Sequence, residues 1–230
     1  LGTGNVTNHG TLLVNKNVNT TLSNVISGTG TMTATITGSA QSLTISGAIS
    51  QSGAVNLNAS GALTIGANLS AGAASTLISG ATLTLNASTV TSTSSGNLIL
   101  SAARFVNNAG SGALSVTGGG NWQVWSSNAS PFDANAAVAD SRGGLSFNYK
   151  QYNATYGSST VLGTGNGFLY SYAPKLTASL TGTVTKTYDR LTTATLVSGN
   201  YSLSGTVDSD VVVLNNPSSG SYSSQGTGAG

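Results

Sequence analysis

The chain of 230 residues has no cysteine, no glutamate and three prolines, and 5% of its residues are charged, against roughly a quarter in ordinary globular domains. Each shortage closes off some chemistry. Without cysteine there is no disulfide, no thiolate nucleophile and no Cys-ligated zinc. From Asn17 to Ala103 no side chain ionises, and every acidic residue lies at or beyond Asp133. That segment holds no general acid or base and no carboxylates for a hard cation. Seven basic residues against five acidic ones set the pI at about 9.0. They do not cluster, so the excess is no footprint for nucleic acid. No apolar run reaches the roughly 18 residues of a transmembrane helix, and no membrane insertion is expected. The chain opens on Leu1-Gly2 without a methionine or signal peptide, which suggests a fragment of a longer protein.

What fills the sequence instead is Gly, Ser, Thr and Asn, with 38% hydrophobic residues, too many for a disordered linker. Those small polar residues are poor in helix interiors. Short alternating runs dominate: Thr31 to Thr37 (TMTATIT), Leu43-Thr44-Ile45, Leu63-Thr64-Ile65, Leu83-Thr84-Leu85 and Leu114-Ser115-Val116. Period-two alternation puts their aliphatic side chains on one face, as in strands. Leu43, Leu63 and Leu83 recur at about twenty residues, and an apolar residue follows each triplet at Ile49, Leu69 and Val90. Leu98-Ile99-Leu100 with Phe105 keeps the internal offset but arrives after only about fifteen residues. Each unit thus reads as two short strands joined by a small-residue corner, and such self-similarity marks a solenoid.

Twenty residues at roughly 3.3 Å give a perimeter of about 65 Å, enough for a three-sided coil. The rival all-β reading, an antiparallel sandwich, calls for Asn-Gly or Asp-Gly hairpins, and residues 31–100 contain neither. The expected fold is therefore all-β, a right-handed parallel β-helix. Stacking also accounts for the missing charge. A charged position would repeat along a ladder with like charges adjacent, whereas Thr, Ser and Asn can hydrogen-bond along it.

Repetition stops near GGGNWQVWSSN, residues 118–128, where both tryptophans fall, and five of the eight tyrosines lie between Tyr149 and Tyr172. Open solenoid ends need covers. Trp122 and Trp125 suit a cap, with a sugar-binding face as the functional alternative. Beyond Pro174 the strings LTASLTGTVTKTYD, ATLVSGNYSLSGTV and VVVLNN read as longer alternating strands of a small two-layer module. The expected organisation is coils over residues 1–121, an aromatic-rich end or cap over 122–174, and a β module over 175–230.

The string NWQVWSSN, continuing through DSRGGLSFNYKQYNATYGSSTVLGTGNGFLYSYAP, resembles the region that closes the β-helix in filamentous-haemagglutinin-like exoproteins of bacterial two-partner secretion. LTGTVTKTYDRLTTATL resembles the YDG or MBG-type β modules that often follow. The resemblance covers about residues 98–225, with KQYNATYG and GTGNGFLY its most specific strings. It implies a secreted, cell-surface or released adhesin or biofilm-matrix segment, exported through an outer-membrane two-partner secretion transporter. The implied partners are host-cell, bacterial-surface or matrix glycans and proteins, or further copies in filaments. Arg190 stands where the family usually has the glycine of Tyr-Asp-Gly, the module stops where relatives continue, and the family's amino-terminal secretion motifs are absent.

Individual candidates for a site are weak. GTGNG at Gly163 to Gly167 looks like a phosphate loop, but strand-like Phe168-Leu169-Tyr170 follows where that chemistry needs a helix. His9, the single histidine, has no nearby carboxylate. Asp208 and Asp210 are two carboxylates without a third ligand for calcium. Sequons at Asn58, Asn68, Asn86 and Asn153 occur about as often as chance gives in so Asn-, Ser- and Thr-rich a chain. Thr-x-Thr runs at Thr31 to Thr37 and Thr181 to Thr187 resemble ice-binding arrays but are not sustained on consecutive coils. No catalytic residue, metal ligand or cofactor is expected. A polysaccharide-cleaving β-helix enzyme would need paired carboxylates on its coils, and a purely structural spacer remains the other rival.

Overall fold

The computed structural model describes residues 1–86, 89–92 and 96–223. The chain divides into two compact units, Leu1–Ala173 and Pro174–Gly230. The first is a parallel β-helix whose coils run through three faces in turn. The first face is a six-stranded sheet of Val6–Thr7, Ile26–Gly28, Ile49–Gln51, Leu69–Ala71, Val90–Ser92 and Leu114–Val116. The second face stacks Thr11–Lys16, Thr31–Ile36, Val55–Ala59 and the leading halves of Ser75–Leu85 and Leu98–Asn107. Trp122–Ser126, Gly167–Tyr170 and Tyr149–Gln151 complete it. The third face carries Thr20–Leu22, Leu43–Ile45, Leu63–Ile65 and the trailing halves of the same two long strands.

All strand pairing among the described residues of this unit is parallel, so each side chain lies over its counterpart one coil away. On the first face Val6, Ile26, Ile49, Leu69, Val90 and Leu114 form one column. On the third face Leu43, Leu63, Leu83 and Phe105 form another. The second face contributes Val14, Ala34, Leu57, Leu77, Leu100, Val124 and Phe168. These columns converge in one continuous apolar core. The hydrophobic effect drives the collapse, and the parallel ladder fixes which residue meets which.

Within the coils the structure differs from the sequence reading in two respects. Each coil has three strands, not two, because Val55-Asn56-Leu57-Asn58-Ala59 is a strand despite its low-propensity asparagines. Leu98-Ile99-Leu100 does not continue the Leu83 column. It pairs with Ser75-Thr76-Leu77 on the second face, and Phe105 takes the position above Leu83. Corners absorb the difference: bonded residues on adjacent coils are separated by 20 positions at Asn56 and Thr76, 23 at Asn19 and Ser42, and 24 at Asn97 and Asn121.

The corners also explain the composition. A Cβ on Gly30 would lie 2.2 Å from the Gly10 carbonyl oxygen, and one on Gly72 would lie 2.2 Å from that of Ser52. Coil rests on coil there too closely for any side chain. Asparagine works differently. The Oδ1 of Asn19, Asn56, Asn68 and Asn97 accepts a backbone N–H from Ser42, Thr76, Thr89 and Asn121 in the next coil. Three of these amides precede a strand and the fourth, Asn56, lies at the start of one, and each satisfies a backbone donor of the next coil.

The second unit contains two antiparallel pairs, Thr177–Leu180 with Tyr201–Ser204 and Thr193–Thr195 with Ser219–Ser221. The strand expected over VVVLNN does not form. Val211 and Val213 are 93% and 88% exposed, so the alternation there has no core to face. Arg190 adopts φ +64°, a left-handed conformation that favours glycine. Asp189 secures the bend, accepting from the Leu191 N–H at 2.9 Å and pairing with Lys186 at 2.7 Å.

Candidate functional site

Most residues singled out in the sequence are occupied with structural work. His9 is exposed, its Nδ1 3.0 Å from the Thr29 hydroxyl of the next coil. Thr31, Thr33 and Thr35 alternate outward, but Thr33 and Thr35 lie between Leu13 and Asn56 and between Asn15 and Asn58, not in a threonine array. The sustained threonine column is a different one: Thr21, Thr44, Thr64 and Thr84 on the third face. Thr181 donates its N–H to Asn200, and Thr183 is exposed. Asn58 is exposed in its strand, whereas Asn68 is engaged with Thr89. Ala87 and Ser88 of the Asn86 sequon lie outside the described residues. Asp208 adopts φ +54° in a turn in which the Asp210 N–H donates to Val207. No group of three His or carboxylate side chains that could hold a metal ion occurs among the described residues.

The last coils carry the chemistry that the others lack. Here the second face is buried on both sides: every residue of Trp122–Ser126 and Gly167–Tyr170 is buried. Inward, Trp122 meets Phe168 edge-on at 5.3 Å. Phe147 does the same at 5.3 Å, and Phe132 packs on Tyr170 at 4.9 Å. The Arg142 guanidinium lies over Phe132, Phe147 and Phe168 at 5.3–5.8 Å, a cation–π seat on the aromatic end of the core. An aromatic cluster thus fills this end of the core, with Trp122 inside it, whereas Trp125, expected to share its role, belongs to a separate outward cluster.

One loop holds a buried carboxylate. Asp140 Oδ1 accepts from the Phe105 N–H at 3.1 Å and from Asn128 Nδ2 at 3.0 Å. Arg104, bonded to the carbonyls of Ala139 and Ala136, ties down the same loop. Oδ2 has no hydrogen-bond partner, and the Ser126 hydroxyl adjoins the carboxyl without meeting hydrogen-bond geometry. Burial therefore raises the Asp140 pKa above the usual carboxylate value; Ser126, Asn128, the Phe105 N–H and Arg104 oppose that rise without cancelling it. Asp140 thus anchors its loop to the Phe105 backbone and to Asn128.

GTGNG proves to be a clamp. A Cβ on Gly163 would lie 2.1 Å from Tyr149 Cγ, and one on Gly167 would lie 2.1 Å from its Cζ. The Tyr149 ring thus lies flush against both glycines, and the spacing serves an aromatic ring and not a phosphate. Burial raises the Tyr149 pKa, and its hydroxyl is buried without a partner.

Outward, Ser101, Trp125 and Leu169 form a column in register. The segment 153–161 folds back over it, placing Ala154 and Val161 against Trp125 and Leu169. A cavity of about 190 Å³ remains between that segment and the sheet. Trp125, 5% exposed, forms part of its wall. Tyr156, 36% exposed, stands edge-on to Trp125 at 5.7 Å. Ser101, Thr155 and Ser171 also line it. Two bends aim Tyr156: Asn153 at φ +53° and Gly157 at φ +81°. Sequence reasoning found Trp125 but not this arrangement, since Tyr156 and Ser101 belong to different coils and no periodic signal joins them.

Comparison of the chain with family models, with curated proteins and with solved structures finds no match.

Proposed function

We propose that the chain is a segment of a secreted bacterial surface adhesin or biofilm-matrix exoprotein, in which the coils build length and the end of the solenoid or the second unit makes attachments. The observation that supports this reading is the uncharged rung repeated through parallel stacking, which suits a spacer with an exposed polar surface and no deep catalytic cleft. On this reading the protein works outside the cell and is not an enzyme. Its partners are an outer-membrane secretion transporter during export, then host-cell, bacterial-surface or matrix glycans and proteins, or further copies of itself.

The test is attachment. The purified full chain, immobilised on beads, is offered bacteria, epithelial cells and matrix polysaccharide over a range of salt. The expected result is saturable attachment that changes little with salt, since charge pairs at so neutral a surface contribute little. Absence of saturable attachment to any of them would favour the spacer, a reading supported by the long coil surface free of ionisable groups. Sustained cleavage of a polysaccharide would overturn both.

A further inference from the structure

We infer that the cavity between Trp125 and Tyr156 is a binding site for one neutral hexopyranose unit. The inference deepens the adhesin reading by naming a ligand class, but the site would bind free sugar whether or not the whole protein mediates attachment.

Four observations carry it. The first is size: about 190 Å³ falls below the roughly 300–1,000 Å³ of sites for drug-sized ligands. It has room for one ring and not for a chain lying flat. The second is charge. No lysine, arginine or carboxylate lines the cavity, so an anionic or cationic ligand would be desolvated there without a counter-charge. The third is the pairing of an aromatic surface with hydroxyls. Tyr156 offers a partly exposed ring face, and Trp125 closes one wall. Among the described residues, the hydroxyls of Ser101, Thr155 and Ser171 make no hydrogen bond within the chain and can donate to or accept from ligand hydroxyls. A purely apolar guest would leave those groups unpaired, and a purely polar one would waste the ring; the apolar C–H face and hydroxyl edge of a pyranose satisfy both. The fourth is preorganisation. The Thr155 N–H donates to the Ser159 hydroxyl at 2.9 Å, and the Ser158 and Ser159 N–H groups donate to the Thr155 carbonyl. Asn153 takes the left-handed conformation that asparagine readily adopts in turns. The loop is thus fixed with Tyr156 already in place, which lowers the ordering cost of binding.

The full-length chain is titrated with methyl glucoside, methyl galactoside and methyl mannoside, and backbone amide shifts are followed by NMR. For a single ring in a small site, a dissociation constant on the order of millimolar is expected. Saturable shifts should centre on Ser101, Trp125, Thr155 and Tyr156. Tyr156→Ala should weaken binding by about tenfold or more, and Tyr156→Phe, which keeps the ring, by less than about threefold. Tyr188→Ala, on an exposed tyrosine of the second unit, should leave it unchanged. A thermal melt of Tyr156→Ala matching wild type excludes loss of fold. If that melt is lowered, Ser101→Ala carries the test, with an expected loss of about threefold. No saturable shift with any of the three sugars would overturn the proposal, as would shifts that survive Tyr156→Ala. Tighter binding of sialic acid than of all three would overturn the neutral-ligand assignment. Loss of hexoside binding in Tyr156→Ala with attachment to cells retained would leave the adhesin reading intact, whereas failure of attachment with hexoside binding intact would remove that reading alone.

Discussion

Leu63 is the clearest place to test the stacked-rung architecture. It is 0% exposed and lies in register between Leu43 and Leu83, each also fully buried. Replacing it with alanine deletes three buried carbons. The transfer loss alone is about 2 kcal/mol, and the cavity adds to it because both neighbouring rungs are held by backbone ladders and cannot close in. An expected destabilisation of about 3–4 kcal/mol follows, within the range for buried leucines. Two controls isolate the cause. Thr64→Ala, pointing outward in the same strand, removes cross-strand contacts with Thr44 and Thr84 at about 0.2–1 kcal/mol each. Leu13→Ala, on a side chain 61% exposed, should stay within about 0.5 kcal/mol. Urea unfolding followed by far-ultraviolet circular dichroism measures all three. Because solenoid coils couple chiefly to their neighbours, the Leu63 variant should also broaden or split the transition. A midpoint for Leu63→Ala no lower than that for Thr64→Ala would refute the inward rung.

Three further outcomes are expected. Gly167→Ala drives a Cβ into the Tyr149 ring and should destabilise the end of the sheet by about 1–3 kcal/mol; in a Tyr149→Ser background the same change should cost under half as much, and equal costs would dismiss the clamp. Because the folded-state pKa of Asp140 is raised, the folded protein binds the extra proton, and stability is fully present below the ordinary carboxylate value and falls as pH rises through the raised one. The advantage of Asp140→Asn over wild type, read from melts across that window, should therefore grow with pH, and an advantage that shrinks would reverse the assignment. Arg190→Gly relieves a left-handed φ and should stabilise the second unit by up to about 1 kcal/mol, seen as slower amide exchange at Thr193–Thr195; faster exchange would contradict it.

The legible part of this fold is the part that repeats. Leu43, Leu63 and Leu83 announce their own column because alternation and spacing are both local properties of the string. The place of Leu98 was not legible, since corners vary in length and Ser75–Leu85 runs through a corner with a register shift between Ser79 and Thr82. Equal internal spacing thus put Leu98 on the wrong face. Val55–Ala59, which makes its coil three-stranded, is not legible because Asn56 and Asn58 lower the strand propensity of its alternation. At the aromatic end, Arg104 and Ala139 bond across 35 residues, and nothing in either local sequence signals the other. The glycines of GTGNG were legible as a turn, but their reason, the ring of Tyr149, lies outside the string.

The distribution of chemistry along the chain follows from the same geometry. In a parallel stack each outward residue has as neighbours the residues at its own position in the coils before and after, so repetition of one small polar side chain is the stable arrangement. A binding site needs the opposite, unlike groups converging on one point. That becomes possible where the period fails. Between Trp122–Ser126 and Gly167–Tyr170 the chain makes a long excursion, and the Trp122 N–H finds its acceptor, Asn166, 44 residues away. The excursion returns Ala154, Thr155 and Tyr156 to the outer face of the sheet, where a regular coil would leave solvent. The coils can then be plain because the excursion is not, and a change that lengthens the solenoid by whole rungs should leave the Trp125–Tyr156 cavity unaltered.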